Sequence, residues 1–195
     1  MPMLAFILLS HVFTTDQGSD QEELDDLLTR TIVNYDEIEF FLLLNFDKNE
    51  DNITKSKNMI TSAKTRFSLL ANNLETFLKS NYICSIIYDN IESAEVIINT
   101  LYYGYFELEE NQNSQLYENY RKLSSDIDDC QSTILNFISS SGDESNPSSK
   151  IHLDRKLNYV PESEEFENFK KELLKMPELL TKIGEIYDNI WKTIN

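Results

Sequence analysis

From Ser19 to Tyr103 the chain contains neither glycine nor proline. Those two residues are the strongest punctuators of local structure. Their absence over so long a stretch excludes glycine-rich phosphate loops and tight β-hairpins there, and with them most nucleotide-binding folds. It leaves long helices.

Apolar periodicity gives the same answer. Leu24, Leu28, Ile32, Tyr35, Ile38 and Leu42 are spaced by three and four, which places them on one helical face. Ser19 and Glu22 have capping-box spacing at the start of this first helix. Phe40 to Leu44 and Phe46 then make its end apolar all round, as expected of a helix end buried on both sides. After a polar turn at 47–52, a second stripe carries Ile53, Ile60, Ala63, Phe67, Leu70, Leu74 and Phe77. Ser80 and Asn81 are candidate caps for a third helix over 82–106, with Cys84, Ile87, Ile91, Ala94, Ile98, Leu101 and Tyr105 on one face. That helix is the least polar and is expected at the centre. A polar turn at 107–114 precedes a fourth stripe: Leu116, Tyr120, Leu123, Ile127, Cys130, Ile134 and Phe137. The last runs from Phe166 to Ile194, and stays in phase across Pro177, which argues for a kinked helix rather than two.

The expected fold is therefore all-α: an antiparallel up-down bundle of four long helices plus a kinked C-terminal helix. The expected organisation is a leader over 1–15, the bundle over 16–138, a Ser-, Gly- and Pro-containing linker over 139–161, and the C-terminal amphipathic helix over 162–195, packing on the bundle or pairing with another molecule.

The chain carries 34 acidic and 17 basic residues, a net charge of −17. Such a surface repels phosphate, which disfavours nucleic acid and anionic membranes and leaves basic partners or cations. The apolar run near the N-terminus, Leu4 to Leu9, turns polar at Asp16 and resembles the h-region of a secretory signal, although no Lys or Arg precedes it. It is too short to span a bilayer, and no other segment qualifies. Asn52-Ile53-Thr54 is an N-glycosylation sequon in the turn expected at 47–52.

Cys84 and Cys130 both occupy apolar stripes. In a hairpin centred on residue 107 they fall at the same height on adjacent helices, which predicts a disulfide if the protein is secreted. The alternative is two buried thiols packing as small apolar groups.

Catalytic constellations are missing. The two histidines are His11, in the leader, and His152, within the linker span just past its Ser-rich stretch. Glu-x-x-His and Cys-x-x-Cys do not occur, so the usual di-iron and zinc ligand sets are not supplied. Asp47, Asn49 and Asp51 alternate like calcium ligands but lack the Gly and terminal Glu of a full loop. No enzyme activity, metal or cofactor is expected. The segment singled out is Leu101 to Phe106, where Tyr102, Tyr103, Tyr105 and Phe106 surround Gly104. Its rings are candidates for contact with a partner or a small apolar ligand, against the plainer reading that they close one end of the bundle around Phe40 and Phe41.

Ser163-x-Glu165-Phe166 with Met176-Pro177-Glu178 resembles part of the insect allergen-related helical repeat. The remainder of the chain departs from that pattern, so the resemblance implies no site or activity. Three functional expectations stand: a secreted, non-catalytic helical binding protein; a carrier of a small apolar ligand; and an intracellular, cytoplasmic coiled-coil adaptor with reduced thiols.

Overall fold

The computed structural model describes residues 18–34, 50–107, 109–112, 114–140 and 156–194. Every regular element among them is helical. In chain order these are α1 (Gly18–Thr31), α2 (Glu50–Asn72), the single turn α3 (Leu74–Phe77), α4 (Ile83–Leu101) continued by a π-helical turn (Tyr102–Phe106), the short α5 (Glu109–Gln112), α6 (Gln115–Ser140) and α7 (Glu164–Ile194).

Helix starts follow local chemistry. Ser114 Oγ accepts the Tyr117 N–H at 3.1 Å, and Ser163 Oγ accepts the Phe166 N–H at 3.2 Å. Each hydroxyl satisfies a backbone donor that the first turn leaves open. Glu164, Glu165 and Glu167 add negative charge where the helix dipole of α7 is positive. Ser80 Oγ accepts the Tyr82 N–H at 3.0 Å, so the expected break between the second and third stripes is real.

The stripes predict the core well. Ile60, Ala63, Phe67, Leu70, Leu74 and Phe77 are buried, as are Cys84, Ile87, Ile91, Ala94, Ile98 and Leu101. Helix α4 buries residues on more than one face and touches α1, α2, α6 and α7, while the most extensive helix packing is that of α7 on α2 and α6. Helix α7 is not an appendage. It runs unbroken through Pro177 and packs along both α2 and α6. Lys57 on α2 meets Asp188 at 2.8 Å, and Ile60 faces Gly184. On α6, Cys130 meets Glu172, and Phe137 stacks on Phe169 with centroids 4.4 Å apart. In both pairings, residue numbers rise on one helix as they fall on the other.

Three expectations need correction. The first helix was expected to run on towards Phe46, but α1 ends at Thr31, and Ile32 is 49% exposed while Val33 is buried. Thr31, Ile32 and Val33 are consecutive β-branched residues, which lose rotamer freedom in a helix. The Asn90 side-chain amide also donates to Thr31 O at 3.0 Å, fixing the helix end. Residues 35–49, with Phe40 and Phe41, lie outside the described residues. So do the expected leader at 1–15, His11, His152 and most of the linker. The second correction is Asn52, which lies in the first turn of α2 rather than in a loop. The third is the cysteine pair, treated below.

Buried polar groups join the first three segments. Arg66 is only 5% exposed. Its Nε donates to Asn90 Oδ1 at 2.8 Å, Nη1 to Ser62 Oγ at 2.9 Å and Nη2 to Ser93 Oγ at 3.0 Å. Asn90 Nδ2 donates in turn to Ile86 O and Thr31 O. Replacing Asn90 with Ala strips an acceptor from a buried guanidinium and a donor from a buried helix end. We expect Asn90→Ala to cost about 2–4 kcal/mol of unfolding free energy in urea melts. Gly184→Ala should act the other way. A Cβ there meets Ile60 Cγ2 at 3.5 Å, an ordinary contact, so relief of glycine's helix penalty should add about 0.5–1 kcal/mol.

Candidate functional site

The tyrosine-rich segment lies where α4 ends. Glu107 N–H donates to Tyr102 O at 2.8 Å, a five-residue span that widens the last turn into π geometry. Gly104 occupies this turn and is exposed. The turn's carbonyls are capped from the next segment: Asn111 Nδ2 donates to Tyr105 O at 2.8 Å and Gln112 Nε2 to Phe106 O at 3.0 Å. Tyr120, arriving on α6, donates its hydroxyl to Ile98 O at 3.0 Å. The widened turn is thereby pinned from outside its own helix.

The four aromatics singled out from sequence divide into two roles. Phe106 is fully buried, with ring centroids 5.1 Å from Tyr105, 5.4 Å from Tyr117 and 4.7 Å from Tyr120. It is core. Tyr103 is 65% exposed and stands edge-on to half-buried Tyr102 at 5.2 Å. Tyr105 is also half-buried. Tyr102 in turn stacks on Tyr120, with centroids 6.4 Å apart. The partners that sequence reasoning missed are Tyr117 and Tyr120. Their spacing of three on α6, directly across the turn from Tyr102 and Phe106, is the signal that could have found them.

Burial pushes the Tyr120 hydroxyl up to about 12, with Asp128 adding to the shift and a hydrogen bond from Ser124 opposing it. The phenol stays protonated and available as a donor to Ile98 O.

Cys84 and Cys130 are brought to the core but not together. Both are buried thiols, not within bonding distance of each other. The hairpin register explains this. Tyr120 reaches Ile98 O, and Gln131 Nε2 reaches Ile91 O at 3.4 Å. Cys130 therefore lies near the level of Ile91, about two helical turns, or roughly 10 Å, from Cys84. The centre of the hairpin is not residue 107, because the π turn and α5 extend the connection beyond it. Cys130 Sγ instead donates to Glu172 O at 3.2 Å on α7. Burial, then the Glu172 hydrogen bond and charge, push this thiol up to about 12.

Among the described residues no three His, Cys, Asp or Glu side chains gather as a metal site, and no helix is long and apolar enough to cross a membrane. The acidic segment at Asp47 and Asn49 lies outside the described residues, as does the Asp51 side chain. Comparison with protein-family models, with curated proteins and with solved structures finds no match to this chain.

Two measurements follow. In native protein near pH 8 both thiols should resist alkylation, and in urea without reductant both should react; a bond between them would leave them unreactive. Alkaline pH should destabilise the fold. Tyr120 and Cys130 have folded-state values raised from 10.0 and 9.0. The unfolded chain then loses these protons first, so their contribution is fully present below about pH 9 and is lost as pH rises towards 12. Urea midpoints from roughly pH 7 to 11 should fall less steeply for the double variant Tyr120→Phe, Cys130→Ala than for the wild type.

Proposed function

We propose that this chain is a non-catalytic helical scaffold that works by binding another protein, with the tyrosine end of α4 as part of the contact surface. The scaffold is read as an antiparallel up-down arrangement of α2, α4, α6 and α7. The opposed registers of α2 with α7, α6 with α7 and α4 with α6 support that reading. The observation that carries the functional reading is Tyr103. A large aromatic side chain 65% open to solvent sits on a turn held by Tyr120, Asn111 and Gln112. Tyrosine binds well when it is rigid, because it offers much contact area for little lost conformational freedom.

The leader and the sequon at Asn52 support secretion as the compartment. The separate thiols withdraw the third support and favour a second reading, an intracellular adaptor in a reducing compartment. No observation at the aromatic end favours the apolar-ligand carrier.

The test combines both questions. The full chain, expressed in a secreting eukaryotic cell, is expected in the medium without its leader and with a glycan at Asn52. Retention inside the cell with an intact N-terminus would make the adaptor the surviving reading. Partners cross-linked to the wild type are then compared with those of Tyr103→Ala. Loss of a central tyrosine contact is worth about 2 kcal/mol, so the affinity of the true partner should drop roughly 30-fold. Partners indifferent to Tyr103→Ala would sink the assignment of this surface.

A further inference from the structure

The outward face of α4 differs in charge from the faces of its neighbours. Tyr88, Glu92, Glu95, Asn99 and Tyr103 are the exposed positions along it, spaced by three and four. Between Ser80 and Tyr120 the sequence contains no Lys, Arg or His. Each of α1, α6 and α7 pairs at least one outer carboxylate with a cation on the same helix: Asp26 with Arg30, Glu118 with Arg121, Glu178 with Lys182. Glu92 and Glu95 sit three apart, on the same face, with no cation on their own helix. Like charges at that spacing are mildly destabilising, and a lysine at 88 or 99 would have relieved them. The face is instead closed at its two ends by tyrosines, Tyr88 at 37% and Tyr103 at 65% exposure.

Resting on the binding reading above, we infer that this face docks a basic segment of the partner protein, with Lys or Arg side chains against Glu92 and Glu95 and on the rings of Tyr88 and Tyr103. Carboxylates accept charge-assisted hydrogen bonds from guanidinium and ammonium groups, and tyrosine faces attract the same cations. The two tyrosines are fifteen positions apart, which corresponds to about 22 Å along a helix, the length of a partner helix of about fifteen residues. The overall charge of −17 steers such a segment in, and the uncompensated face decides where it lands.

The probe is a fluorescent, end-capped helical peptide of about sixteen residues built from Ala, Lys and Arg, titrated with the full chain at low and at physiological salt. Glu92→Lys with Glu95→Lys should weaken binding at least about tenfold, and Glu92→Gln with Glu95→Gln at least about threefold. Asp128→Lys with Asp129→Lys makes the same change in net charge on the outer face of α6 and should cost less than about threefold. Tyr88→Ala and Tyr103→Ala should each weaken binding, while the Phe variants, which keep the ring face, should not. Matched melting temperatures exclude unfolding as the cause. Equal losses from the α4 and α6 reversals, or no binding to the peptide, would overturn the proposal. The cross-linked partner separates the two readings. If its capture depends on Tyr103 but ignores the Glu92 and Glu95 reversals, the binding surface stands and the basic occupant is wrong. If it ignores both, both fall.

Discussion

A guanidinium buried between helices is the constraint around which the N-terminal half is arranged. Arg66 cannot be deprotonated, and removing it from water is costly unless its donors find oxygens. Ser62, Asn90 and Ser93 supply three, from two helices. Asn90 is then oriented, and its amide is committed to Ile86 O and to the last carbonyl of α1. The end of α1, the rotation of α4 and the register of α2 against α4 are thus set by one set of hydrogen bonds. Apolar packing alone tolerates slippage by a turn; these directional bonds do not. Their role is therefore to specify register more than to add net stability, since the bonds offset a desolvation cost of similar size.

A second register device sits at the far end of α4. Widening the last turn to π geometry adds a residue without ending the helix, which rotates everything after it. Phe106 turns inward under Tyr120, and Tyr103 is left outside. The same rotation sets how α4 and α6 face each other, because Tyr120 is tied both to the Phe106 ring and to Ile98 O. The burial of Phe106 in place of Tyr105 follows from this local change in backbone winding, while the separation of Cys84 from Cys130 also needs the length that α5 adds to the connection.

Much of the fold was legible because period and face are properties of spacing. Most stripe positions of α2, α4, α6 and α7 are buried, and α4 buries Ile83, Ile86, Asn90, Ser93, Ile97 and Thr100 besides its stripe. Spacing does not carry register between helices, and that is where the reading failed. An equal-height argument needs the centre of a turn, and the π turn with α5 moved it. Arg66 lies between Ala63 and Phe67, off the apolar spacing, and nothing in that spacing marks it as buried. Ser93 and Asn90, polar residues within the least polar helix, were the sign that something charged lay opposite. Helix α1 was overextended because apolar periodicity continues past Thr31, while the β-branched run and the Asn90 amide end it. At the candidate site the four aromatics were legible as a group, but their division into Phe106 as core and Tyr103 as surface was not. Tyr103 continues the exposed spacing of Tyr88, Glu92, Glu95 and Asn99, whereas the burial of Phe106 rather than Tyr105 depends on the π winding, which spacing does not encode.

The two faces of α4 answer opposite demands, and together they explain why this helix lacks basic residues. Most of its inner positions are apolar and packed against other helices, and two that are polar, Asn90 and Ser93, already serve the Arg66 guanidinium. That accounts for the inner face only. On the outer face a cation would cost nothing and would stabilise Glu92 and Glu95, as the pairs on α6 and α7 do for their own carboxylates. Its absence there is not required by folding. On the binding reading proposed above, this surface of two carboxylates flanked by exposed rings is the part of α4 left for a partner. The stability forgone is small, a few tenths of a kcal/mol per pair, so the fold tolerates the uncompensated face.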